Sequence, residues 1–191
     1  MSDLSFTLFD TAIGCCGLVW SEGGVAGVQI HDKSQEATRK RLLRRFPEAR
    51  EVAPPAEIAS VIDDVAALLR GEPKDLSQVR IDMGRVPEFN RRVYDVARTI
   101  GPGKTLSYGE IAERLGDRLL ARDVGQALGQ NPIPIIVPCH RVLAAGGKMG
   151  GFSAPGGAAT KLRLLSIEGA RPGGPTLFDT LPLVAKRHQR A

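Results

Sequence analysis

Hydrophobic and polar positions change their period along the chain. Residues 4–31 carry short apolar runs with partial alternation: SFTLFDTAIG, then CCGLVW and VAGVQI around Ser21-Glu22-Gly23-Gly24. Such runs of β-formers, split by a polar break containing glycine, predict strands joined by a hairpin. Residues 33–46 turn to a helical pattern, with apolar Leu42, Leu43 and Phe46 and basic residues at 39, 40, 41, 44 and 45. The basic positions read as a solvated face, with a DNA-contacting arm as the second reading. Pro54-Pro55 interrupts the chain. EIASVIDDVAALLR then sets Ile58, Val61, Ile62, Val65, Leu68 and Leu69 at helical spacing, which predicts an amphipathic helix over 56–70. A polar stretch, Gly71 to Ser77, leads to a short predicted strand at Val79–Met83.

The second half reads as short helices. PEFNRRVYDVARTI (87–100) puts Phe89, Val93, Val96, Ala97 and Ile100 on one face, with Pro87 near its first turn. Gly101-Pro102-Gly103 ends it. Ser107 and Glu110, three residues apart, form a capping box for the helix YGEIAERL, which Gly116 closes. A third helix is predicted near 119–129, LLARDVGQALG. Two short helices joined by a glycine-containing turn are a helix-turn-helix signature, though many helical hairpins share it. The expected division is an N-terminal α+β unit over 1–84, a second unit over 85–170 and a tail over 171–191.

Composition narrows the class. Of 191 residues, 42% are hydrophobic and 25% charged, which excludes collagen-like, low-complexity and wholly disordered chains. No apolar run approaches the ~20 residues that span a bilayer, and MSDLSFTLFD lacks the form of a signal peptide. The net charge of +5 is compatible with a polyanionic partner. Only 5% of residues are aromatic, which argues against a long single-strand groove of stacking platforms. Three cysteines, two of them adjacent at Cys15 and Cys16, provide neither a disulfide framework nor a CxxC pair, and a reducing, cytoplasmic setting follows.

The segment NPIPIIVPCHRV (131–142) carries the chemistry. Its prolines exclude an α-helix and stiffen the backbone, and the apolar residues between them imply burial. A cysteine there is either an inert core thiol or a nucleophile held in place. The basic neighbours His140 and Arg141 favour the nucleophile, because a nearby cation lowers a thiol pKa. In extended backbone Cys139 and His140 would point to opposite faces, so a bridging water between them is one expectation.

NPIPIIVPCHRV resembles the signature of the O6-alkylguanine-DNA alkyltransferases, the methylated-DNA–protein-cysteine methyltransferases. TLSYGEIAERLG and ARDVGQAL resemble the two helices of that family's helix-turn-helix, LAAGGKMGGFS its wing and pocket lip, and KLRLLSIEG its closing helix. The likeness covers about residues 87–169. It implies an α+β protein with a small N-terminal α+β domain and a C-terminal winged-helix-like DNA-binding and catalytic domain.

The same resemblance implies a role for each matching residue. Cys139 is the expected alkyl acceptor, His140 the base acting through water, and Glu168 the group that orients that histidine. Asn131 would brace the turn before the cysteine segment. Tyr108 would lie near the flipped base and Arg122 would fill the gap left in the DNA stack. Phe152 stands at the pocket lip, Ser153 would offer a hydrogen bond to O6, and the carbonyls of Cys139 and Val142 would read the exocyclic amine. The implied partner is double-stranded DNA containing O6-alkylguanine, met by a monomer without a catalytic cofactor and consumed once per lesion. Cys15, Cys16 and His31 make a poor ligand set for the zinc found in some relatives. The alternative readings are a non-catalytic alkylguanine-binding protein that flags damage, whose relatives usually have tryptophan in place of the cysteine, and a helix-turn-helix regulator.

The chain departs from the family at several positions. Asp123 replaces a small residue beside Arg122, which would weaken attraction to phosphate. GDRLL lacks a common proline, Phe152 replaces a tyrosine, and FSAPGGAATK is about two residues longer than the usual lip. In the tail, Leu177, Phe178, Leu181, Leu183 and Val184 cluster after a Pro/Gly run. They read as a strap folding back on the domain or as a docking motif for a protein partner.

Overall fold

The computed structural model describes residues 3–170. The tail, with both its strap and its docking reading, lies outside the described residues. The N-terminal half is a sheet of β1 (Ser5–Thr11), β2 (Gly14–Ser21), β3 (Gly24–Gln29) and β4 (Arg50–Glu51), in the order β3-β2-β1-β4. β1, β2 and β3 are antiparallel neighbours, so the residues read as strands hold two hairpins, with turns at 12–13 and 22–23. β4 pairs parallel to β1, where Arg50 and Val52 N–H groups donate to the carbonyls of Leu4 and Phe6.

Period-two alternation on β2 feeds two different cores. Cys16, Leu18 and Trp20 join Ile58, Val65 and Leu68 of α2 (Ala56–Leu69). Val19, between them, points the other way and joins Phe6, Leu42 and Phe46 beneath α1 (Gln35–Arg45). Helix α1 lies close to the sheet because Gly27 has no side chain; a Cβ there would collide with the Phe46 ring. Ser34 caps α1 by accepting from the Ala37 N–H at 3.1 Å.

The predicted strand at 79–83 is reduced to one parallel bridge, Val25 with Ile81. The ladder is limited to the Val25 N–H donating to the Arg80 carbonyl and the Asp82 N–H donating to the Val25 carbonyl, while Arg98 ties the same segment to α3 through the Ser77 and Val79 carbonyls.

The second half is built from α3 (Glu88–Arg98), β5 (Leu106–Ser107), α4 (Tyr108–Arg114), α5 (Ala121–Gly129), β6 (Val142–Leu143) and α6 (Ala158–Ile167). The capping box forms: Ser107 Oγ accepts from the Glu110 N–H at 3.2 Å, and Glu110 Oε2 accepts from the Ser107 N–H at 2.6 Å. Between α4 and α5 a 3₁₀ turn, Arg118–Leu120, takes the place of the missing proline. Asp117 caps it by accepting from the Leu119 N–H at 2.8 Å. The fully buried Ile111, Ala112 and Val124 hold α4 against α5.

The larger core runs without interruption from the sheet into these helices. Two polar ties reinforce the junction: the Val28 N–H donates to the Pro132 carbonyl at 2.9 Å, and Arg45 Nη2 reaches the same carbonyl at 3.2 Å. The start of the cysteine segment is therefore tied to β3 and to α1. No helix among the described residues is long and apolar enough to cross a membrane.

Candidate active site

The segment from Asn131 to Val142 folds as a tight, buried turn. The Val137 N–H donates to the Ile133 carbonyl at 2.9 Å, and Pro134 bridges to Val137. Ile135 has φ of +77° and is 1% exposed. A β-branched residue in this region stores about 1–3 kcal/mol of strain, which persists only where the surroundings over-determine the conformation. Asn131 supplies part of that constraint. Its Oδ1 accepts from the Ile133 N–H at 2.9 Å, and its Nδ2 donates to the Val137 carbonyl at 2.8 Å and to Cys139 Sγ at 3.3 Å. The residue that braces the turn also holds the thiol.

Residues 139–141 form one 3₁₀ turn, so His140 is directed away from Asn131 into a charged cluster. His140 Nε2 lies 2.9 Å from Glu168 Oε1. Arg141 embraces the same carboxylate, with Nε to Oε2 and Nη2 to Oε1 both at 2.8 Å, and its Nη1 donates to the Ile100 carbonyl. Glu168 is the C-cap of α6, where the helix dipole disfavours negative charge. Its side chain is only 3% exposed. Burial pushes the carboxyl upward, but hydrogen bonds from His140 and Arg141 and their charges outweigh it and bring the pKa down to about 2. A carboxylate that accepts from Nε2–H fixes the histidine tautomer, so Nδ1 carries the lone pair. Nδ1 is buried and has no partner among the described residues. Burial pulls the His140 pKa down more than Glu168 raises it, so the ring rests neutral.

The electrostatics of Cys139 differ from the sequence-based expectation. Its pKa is raised, because burial outweighs the Asn131 hydrogen bond and a nearby positive charge. That charge belongs to Lys161, not to Arg141, whose guanidinium is spent on Glu168. Lys161 is fully buried on α6, donates to the Val142 carbonyl at 2.6 Å and sits 5.8 Å from the centroid of the Tyr108 ring. Desolvation lowers its pKa, and the developing thiolate would raise it again. The thiol is thus stored protonated, beside a cation ready to stabilise its anion.

Cys139 opens on a cavity of about 410 Å³, with Tyr108, Gly125, Leu128, Phe152 and Ser153 on its walls. Half-buried Tyr108 starts α4 and lies against Gly150, where a Cβ would come within 2.5 Å of the phenol oxygen. A thiol and an aromatic ring thus share one cavity, with a buried general-base candidate next to the thiol in sequence and a buried cation close enough to act on it. Such a set can remove a proton from sulfur and stabilise charge on a leaving group.

A family profile described as the DNA-binding domain of 6-O-methylguanine DNA methyltransferase matches residues 88–170. The methylated-DNA–protein-cysteine methyltransferase of Mycolicibacterium paratuberculosis is 35% identical over 177 residues, which cover 92% of this chain and 99% of the relative. The chain belongs to this methyltransferase family. The crystal structure of Mycobacterium tuberculosis O6-methylguanine methyltransferase superposes with a TM-score of 0.69 at 33% identity, covering 87% of this chain and 93% of the other. That of the Mycobacterium tuberculosis OGT in complex with DNA gives 0.68 at 33% identity, over 86% and 92%. The α+β architecture described above is that of these methyltransferases.

Among the sequence-predicted residues, Cys139, His140, Asn131 and Glu168 form one contiguous cluster with Arg141. Tyr108, Phe152 and Ser153 share the cavity wall with Cys139. The Val142 carbonyl already accepts from Lys161 and the Cys139 carbonyl from the Val142 N–H, which leaves each one further lone pair. Arg122 stands apart, exposed in the first turn of α5 beside exposed Asp123. Cys15, Cys16 and His31 do not converge as ligands: His31 Nδ1 lies 3.3 Å from the Cys15 carbonyl oxygen, and Cys16 Sγ lies 3.7 Å from Thr11 Oγ1. The solvated face read for α1 holds for Lys40, Arg44 and Arg45, which are exposed, while Arg39 and Arg41 are half-buried. Arg45 is nonetheless tied to Val28, Gln29 and Pro132, and Arg41 reaches Asp32 and Ser153. Sequence reasoning missed Lys161, which occupies an inward position of α6. A lysine at an apolar-face position was the available signal.

Proposed function

We propose that this chain repairs O6-alkylguanine in double-stranded DNA by moving the alkyl group to its own Cys139, as a monomer, once per molecule. The observation that carries this reading is a buried thiol facing a cavity beside Tyr108, with a neutral histidine held behind it by Glu168. Guanine O6 lies inside the base stack, so the nucleotide must leave the duplex to meet a buried sulfur. Exposed Arg122 on α5 is the group we assign to the gap left behind, because a long planar guanidinium suits a base-sized space.

His140 Nδ1 takes the thiol proton through a bridging water, while Glu168 stabilises the imidazolium that results. The Cys139 sulfur then attacks the carbon on O6. A C–S bond forms, the C–O6 bond breaks, and the electron pair passes into the purine, which takes one proton back from the imidazolium by way of water and stays in the strand as guanine. Lys161 stabilises the thiolate, and it holds the Val142 carbonyl in place to accept from the exocyclic amine. Ser153 and Tyr108 bound the base on the cavity wall. A thioether offers no return to the thiol, so turnover ends there. All of these residues lie in 85–170, which we take as the DNA-binding and acceptor unit.

The test is intact-mass analysis after mixing the full chain with duplex DNA bearing O6-methylguanine. The expected result is a gain of one methylene on the peptide containing Cys139. Tight binding to the lesion with unchanged mass would instead support the damage-flagging reading.

A further inference from the structure

Cys139 also borders a second cavity, of about 260 Å³, which shares Gly129, Phe152 and Ser153 with the first and which Tyr108 does not line. Asn131, Pro134, Phe152 and, from α1, Arg41 and Arg45 line it together with Cys139. The charges on its wall are unbalanced. Arg45 donates only to neutral acceptors, the Val28 and Pro132 carbonyls and Gln29 Oε1, each at 3.2 Å. Arg41 shares one loosely placed carboxylate, Asp32 Oδ2 at 3.7 Å, and reaches the Ser153 carbonyl at 3.4 Å. Two guanidinium groups thus face this cavity with a single distant acidic partner among the described residues. Arginine stays charged even where desolvation lowers its pKa, as it does for Arg45.

In-line displacement aligns O6, the reacting carbon and sulfur. With the base in the Tyr108 cavity, the rest of a longer substituent has to leave that line sideways at Cys139, where the second cavity begins. We propose that this cavity is a substituent subsite selecting O6-alkyl groups that end in an anion, the carboxymethyl class, through Arg41 and Arg45. The inference rests on the alkyl-transfer reading above. The chemistry is unchanged: the C–S bond forms, the C–O6 bond breaks, and Cys139 becomes the S-carboxymethyl thioether.

The test compares two duplexes identical except for the lesion, O6-carboxymethylguanine or its neutral isostere O6-carbamoylmethylguanine. Single-turnover transfer rates are measured for the full chain and for Arg41→Gln and Arg41→Lys, with O6-methylguanine as the control substrate. Intrinsic reactivity of the two lesions cancels when their rate ratio is compared across the proteins. The carboxymethyl-to-carbamoylmethyl ratio should fall about tenfold in R41Q, the loss of one charge-assisted contact, and return most of the way in R41K. An unchanged ratio in all three proteins overturns the subsite. Equal loss on both lesions also overturns it, since it would place Arg41 on a DNA phosphate. If methyl transfer occurs and the ratio does not move, the subsite fails alone; if the unaltered chain transfers no methyl group, both readings fall.

Discussion

Cys16 and Cys139 are both buried thiols, one in each half of the molecule, and burial raises the pKa of both. Their surroundings separate them. Around Cys16 lie Leu18, Ile13 and the rest of an apolar core, with Thr11 Oγ1 as a weak partner at 3.7 Å. Around Cys139 lie an amide donor at 3.3 Å, the Lys161 charge, a neutral histidine and two cavities. The comparison teaches that burial alone makes a cysteine inert. Reactivity comes from what is buried with it: donors that hold the sulfur, a base to take its proton, and space for a substrate.

The strongest way to break the comparison is substitution of both thiols. Cys139→Ala should abolish alkyl transfer completely, whereas Cys16→Ala should transfer at the unaltered rate and cost about 1 kcal/mol of stability for the small cavity left behind. Intact mass and chemical denaturation read the two effects. Transfer by the Cys139 variant, or its loss in the Cys16 variant, would invert the assignment.

Glu168→Gln comes next. It keeps the shape but removes the charge that His140 and Arg141 share, and single-turnover transfer should fall on the order of 100-fold. The same substitution should change acid stability. The Glu168 pKa falls from 4.5 unfolded to about 2 folded. Its contribution is therefore fully present above pH 4.5 and is lost as pH drops toward 2, because the unfolded chain binds the proton first. For a side chain this buried the amount is on the order of 3 kcal/mol. The Gln variant should show a flatter stability loss over that window in urea titrations at fixed pH. An unchanged acid limb would mean that another carboxyl dominates.

Lys161→Met sharpens the comparison with the smallest effect. Removing the cation raises the thiol pKa further, so the rise of transfer rate with pH should move to higher pH by about one unit. A midpoint that stays in place would show that Asn131 and His140 suffice to set the thiol.

Much of the frame was legible before any coordinates. The capping box of Ser107 and Glu110, the apolar stripes of α2 and α3, and the stiff proline segment with its cysteine are local signals. Each depends on residues within a few positions of one another, and each appears where the sequence placed it. Resemblance to a family brought Asn131, His140, Glu168 and Tyr108 into one list, although nothing local in the chain connects position 131 or 168 with 139.

Tertiary structure alone decided the pairings. Arg141 sits two residues from Cys139, the proposed acceptor, yet its charge is spent on Glu168, 27 residues away. Lys161 lies 22 positions downstream of Cys139 and supplies the cation instead. Ile135 takes a positive φ that no β-branched residue would choose by itself, because the turn from Ile133 to Val137 and the burial around it impose it. Arg41 and Arg45 look like solvated helix charges until the sheet carries α1 over the back of the cysteine segment. Sequence determines what a residue can donate, accept or bury, since those properties are its own. Which partner meets it depends on the direction of side chains across elements far apart in the chain, and only the packed fold sets that direction.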